Sequence, residues 1–76
     1  MNKNTQYLLL DALKKKYECM RAEALATMEV YLNNAAGIGE HPQVVEEMSK
    51  QMEALATAED VLESLEANYK NDRDER

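Results

Sequence analysis

Apolar positions along the chain fall into two long stripes separated by one break. Over Leu10, Leu13, Tyr17, Met20, Ala24, Thr27 and Tyr31 the steps run 3, 4, 3, 4, 3, 4. Over Val44, Met48, Gln51, Leu55, Ala58, Leu62, Leu65 and Tyr69 they run 4, 3, 4, 3, 4, 3, 4. Alternating steps of three and four hold side chains on one face of an α-helix, the a and d seam of helices that cross at a shallow angle. The pattern predicts helices over about 5–33 and 42–69. Both segments are rich in Ala, Leu, Met, Glu and Lys, which favour helix, and neither has an internal Gly or Pro.

The break, Asn34-Ala-Ala-Gly-Ile-Gly-Glu-His41, carries the stop and start signals. Asn33 and Asn34 suit a helix C-terminus, and Gly37 and Gly39 tolerate positive φ. Pro42 fits a first helical turn, and Glu46 and Glu47 follow where the helix dipole favours acids. So short a break makes the two helices antiparallel neighbours. Pairs whose numbers add to 75, from Leu10/Leu65 and Tyr17/Ala58 to Tyr31/Val44, are then seam positions on both helices. This register sets the large Tyr17 against the small Ala58 and Lys14 opposite Glu59. The expected fold is all-α, an antiparallel two-helix hairpin over residues 1–69 followed by a polar, disordered tail over 70–76.

A lone hairpin buries one stripe per helix, a poor margin for a chain of this size, and such domains take a staple or a partner. One Cys excludes a disulfide framework and a multi-cysteine zinc site, so self-association is the remaining route. Leu25, Met28 and Leu32 lie off the seam of the first helix, and Val45 and Met52 off the seam of the second. Met28, Val45 and Met52 share one flank toward the break, with Ile38 placed to cap it. These five residues form the expected contact with a second copy, giving a homodimeric four-helix bundle or a higher oligomer, or with a host or phage protein.

The 76 residues carry 15 acids against 9 Lys and Arg, a net charge of −6. Up to Gly39 the balance is +1, and from Glu40 onward it is −7. This argues against electrostatic binding of nucleic acid. Lys14, Lys15 and Lys16 do not form a basic patch, because consecutive helical residues fan out by about 100°. Antiparallel pairing lays them beside Glu59, Asp60 and Glu63. An RNA-binding hairpin dimer, of the kind that sets plasmid copy number, would need a basic stripe that the scattered lysines do not supply. No apolar run exceeds the three residues Leu8, Leu9 and Leu10, which excludes a membrane span and a signal-peptide core.

No spacing supplies a catalytic set. His41 has no nucleophile or second acid–base group arranged near it, and Cys19 falls on an outward position without a histidine close in sequence. No metal site and no cofactor is expected. The Gly37-Ile-Gly39 break before a helix start lacks the Gly-Lys-Ser/Thr of a phosphate loop, but backbone N–H groups at a helix start attract anions. Gly37, Gly39 and His41 are therefore the candidate contacts for a small anionic ligand, such as a signalling nucleotide, held between several hairpins.

The stretch Val30-Tyr-Leu-Asn-Asn-Ala-Ala-Gly-Ile-Gly-Glu-His-Pro42 resembles one in short helical-hairpin proteins of T-even-like tailed phages, including those that infect marine cyanobacteria. Val44-Val-Glu-Glu and Ala58-Glu-Asp-Val-Leu-Glu-Ser-Leu65 are similar in style, so the resemblance covers roughly 45 residues. It implies a phage accessory protein acting in the host cytoplasm and transfers no activity or catalytic residue. The leading expectation is a non-enzymatic accessory protein that acts through protein–protein contact. The alternative is an oligomeric hairpin that sequesters a small anion.

Overall fold

A computed structural model describes residues 2–34 and 42–69 of the chain. It contains two helices, α1 over Lys3–Asn33 and α2 over Pro42–Asn68. α1 starts two residues before the expected position because Asn2 caps it. The Asn2 side chain accepts from the Thr5 backbone N–H at 2.8 Å, and its carbonyl accepts from Gln6 N–H at 3.0 Å. A side-chain acceptor at this point satisfies a donor that a helix start leaves open. At the other end Asn34 is the C-cap, its N–H donating to Tyr31 O at 3.2 Å. α2 closes with Tyr69 N–H donating to Leu65 O at 2.8 Å and Asn68 Nδ2 to Ser64 O at 2.8 Å. Its first turn contains no acid, so Glu46 and Glu47 sit one turn too late to serve the dipole there.

The helices pack against each other as an antiparallel hairpin. Leu10, early in α1, shares a groove with Leu65 and Tyr69, late in α2. Arg21 meets Glu59 midway. The described residues form a rod with extents of 55 × 17 × 17 Å. The sealed part of the seam is small: Ala24, Leu55 and Ala58. Leu10, Tyr17, Met20, Thr27, Tyr31, Val44, Met48, Gln51, Leu62 and Leu65 are half-buried. No buried side-chain nitrogen or oxygen lacks a partner among the described residues. Ala24 on α1 and Ala58 on α2 are enclosed at the seam, where small side chains let two helices approach closely.

Two seam residues differ from expectation. Leu13 is 40% exposed and Tyr69 is 61% exposed. Both lie toward the end carrying the chain termini, where two helices alone cannot enclose a side chain on every side. The tail 70–76 and the break residues 35–41 lie outside the described residues.

Candidate functional site

With Leu10 set at heptad position a, the seam leaves two flanks. One carries the e and b positions, which from Asp11 onward read Asp11, Lys14, Glu18, Arg21, Leu25, Met28 and Leu32 on α1. On α2 they read Val45, Ser49, Met52, Ala56, Glu59, Glu63 and Glu66. Two observations show that these stripes lie on one face of the hairpin. Arg21 Nε donates to Glu59 Oε2 at 3.2 Å. Asp11, Lys14 and Glu18 line a groove of about 230 Å³ together with Glu66, over a floor of Leu10, Leu62, Leu65 and Tyr69.

This face changes character along its length. Toward the break it is apolar: Leu25 is 41% exposed, Leu32 55%, Val45 62% and Met52 48%. Met28 is half-buried, and Ser49 and Ala56 are small, exposed side chains among them. Toward the chain ends the e and b positions from Arg21 to Asp11 on α1 and from Glu59 to Glu66 on α2 are all charged, and uncharged Tyr7 and Asn4 continue the α1 stripe. The hairpin thus brings together on one flank all five residues that spacing had marked for contact. Four are open to solvent, and the fifth is half-covered by its neighbours.

Glu59 has a different partner from the one expected. It binds Arg21, whereas Lys14 lines the groove near Glu66. Seam pairs add to 75, but flanking partners slant across the hairpin and add to 80, as Arg21/Glu59 and Lys14/Glu66 both do. Lys15 is held by Asp11 within α1, and the Lys16 ammonium lies 5.6 Å from the centre of the Tyr17 ring. The three lysines are therefore dispersed, each in a separate local arrangement.

A second apolar area was not foreseen. Leu8 is 55% exposed, Leu9 56% and Val30 64%, none of them on the seam. The run Leu8-Leu9-Leu10 was the available signal: only one of three consecutive helical residues can face the partner helix. Leu9 and Val30 lie at g positions, on the flank away from Met28 and Met52, and about six turns of helix separate them. They form no continuous patch with each other, whereas the five residues of the e/b face fall within the same half of one flank.

The chemistry-bearing residues remain apart. Cys19 is free and exposed. Gly37, Gly39 and His41 lie outside the described residues, so the expected anion contacts receive no geometry. Among the described residues no group of three His, Cys, Asp or Glu is placed to hold a metal ion. Nor is any described helix long and apolar enough to cross a membrane. Comparison with family models, curated proteins and solved structures returned no match.

Proposed function

We propose that this chain is a small non-enzymatic accessory protein that acts by docking the apolar half of its e/b face onto protein. One observation carries the reading: Leu25, Leu32, Val45 and Met52 stand exposed together beside half-buried Met28, with Ser49 and Ala56 between them. A continuous apolar surface of this kind costs free energy in water and is retained where a partner covers it. Its heptad spacing suits another helix, since side chains at steps of three and four offer the ridges that a second helical surface fills. The proposal takes the phage setting and the host cytoplasm from the resemblance of the Val30–Pro42 stretch.

Sedimentation velocity over a concentration series, on the parent and on Leu32→Glu/Met52→Glu, tests this. Both substitutions are at exposed positions, so helicity should persist while association is lost. A parent that remains a single chain at every concentration, and gains no mass when mixed with phage or host proteins, would overturn the reading.

A further inference from the structure

Resting on that docking face, we infer that its occupant is a second copy of this chain. The two copies overlap only by their apolar halves and run antiparallel, so that the four chain ends point away from the contact in opposite pairs. A lone hairpin leaves the need for cover plain: Ala24, Leu55 and Ala58 are its only buried apolar residues among those described, and no large side chain is fully enclosed.

The face is complementary to itself about one level. A two-fold axis lying in the face and across the helices sets α1 on the partner's α1 and α2 on the partner's α2, each pair antiparallel. On α1, Met28 then meets its own symmetry mate, and Leu25 meets Leu32, placing the centre near residue 28. On α2, Val45 meets Ala56 and Met52 meets Ser49, placing the centre midway between residues 50 and 51. Each α2 pair sets a large side chain against a small one, which is how packed surfaces interdigitate. The two centres are found independently, and the hairpin brings them to one level. Its seam pairs add to 75 and its Arg21/Glu59 pair to 80, so residue 28 lies level with residues 47 to 52.

Charge selects this arrangement over the other symmetric one. Turning the partner about an axis parallel to the helices also places apolar half on apolar half. It brings the charged halves together as well, with Asp11, Glu18, Glu59, Glu63 and Glu66 of each copy against only Lys14 and Arg21 of each. Like charges brought face to face oppose association. In the overlapped arrangement Glu59 falls at the edge of the contact, and Asp11, Lys14, Glu18, Glu63 and Glu66 stay beyond it in water.

The test places a nitroxide on Ala12→Cys in a Cys19→Ser background and measures label separation by pulsed electron resonance. Ala12 is exposed and off the seam, so the label disturbs no packing. It lies 16 residues from the inferred centre, about 24 Å at 1.5 Å per residue, so the two labels should be about 50 Å apart. A dimer with labels at about 10–20 Å, the lateral spacing of a bundle, would overturn the antiparallel overlap and leave the docking face standing. A single chain, or an assembly larger than two, would overturn the closed dimer. Met52→Glu, checked for helicity, should shift the parent's dimer to single chains. A dimer indifferent to that substitution and to Leu32→Glu would overturn the docking face itself.

Discussion

Arg21 Nε and Glu59 Oε2 lie 3.2 Å apart, the one ion pair between the two helices among the described residues. Both side chains are about half exposed, at 48% and 50%. An ion pair so placed is screened by water and salt, and ordering two long side chains offsets much of its attraction. A double-mutant cycle through Arg21→Ala and Glu59→Ala, read by urea unfolding, should give a coupling of about 0.2–1 kcal/mol. The coupling should shrink as salt is added. The pair's consequence is geometric rather than energetic, since it reports how the flanks are aligned.

The buried seam should be far less tolerant. Ala58 is fully enclosed and Leu55 is 9% exposed. Leu55→Ala removes packed methyl groups and leaves a partly relaxed void, for a cost of about 2–3 kcal/mol. Ala58→Leu forces a larger side chain between helices that approach closely there, for about 1–3 kcal/mol. Chemical unfolding checks both, with Ala12→Leu as a control expected to change stability by no more than about 0.5 kcal/mol. If Ala58→Leu proved neutral, the close approach of the helices at that level would be wrong.

The seam and the antiparallel pairing could be read from Leu10 through Tyr69 because helical periodicity fixes which side chains share a face. It does not fix how far each side chain is covered. Leu13 and Tyr69 obey the spacing and remain exposed, since cover depends on what lies beyond the second helix. Nor does periodicity fix the partner of a long flanking side chain. Glu59 lies near both Lys14 and Arg21 in register, and the slant of the flank decides for Arg21. The apolar face was readable as a set of residues. The change from apolar to charged along it became clear only when Arg21 and Glu59 supplied the alignment of the two stripes.

The Asn2 cap makes a separate prediction about the first turn. Its side chain serves Thr5 N–H at the open end of α1. Asn2→Ala should cost about 0.5–1 kcal/mol, the lower part of the usual range for a lost cap, because a helix end can fray without unfolding the hairpin. Amide exchange at Thr5 and the residues just after it should quicken, while exchange at Ala24 stays slow. Asn2→Asp keeps the acceptor and should restore protection.

Lys15 offers a pH-dependent signature. Its pKa is raised, chiefly by the hydrogen bond to Asp11 one turn earlier. A cation with a raised folded-state pKa contributes its full stabilisation below the unfolded value, about 10.4 for lysine. That contribution is lost as pH rises through the folded value. The melting temperature of Lys15→Met should thus differ from the parent's by a constant small amount from about pH 7 to 9, and the difference should close above about pH 10.4. A difference that widened with rising pH would show that the Asp11 contact does not persist in solution.

Among the described residues Lys14 is the one cation lining a groove that also presents Asp11, Glu18 and Glu66. Asp11 and Glu18 lie three and four residues away on the same helix, and Glu66 reaches the groove from α2. Lys14→Glu therefore replaces three attractive neighbours with three repulsive ones. At about 0.2–0.5 kcal/mol for each pair at helical spacing, the reversal should lower stability by about 1–2 kcal/mol in dilute buffer. Near molar salt, where charges are screened within about 3 Å, most of that loss should disappear. Lys14→Gln removes attraction without adding repulsion and should fall between the two. Urea unfolding at low and high salt separates these outcomes. A loss in Lys14→Glu that salt does not relieve would mean that Lys14 contributes through packing of its aliphatic stem against Leu10 and Leu62, not through its charge.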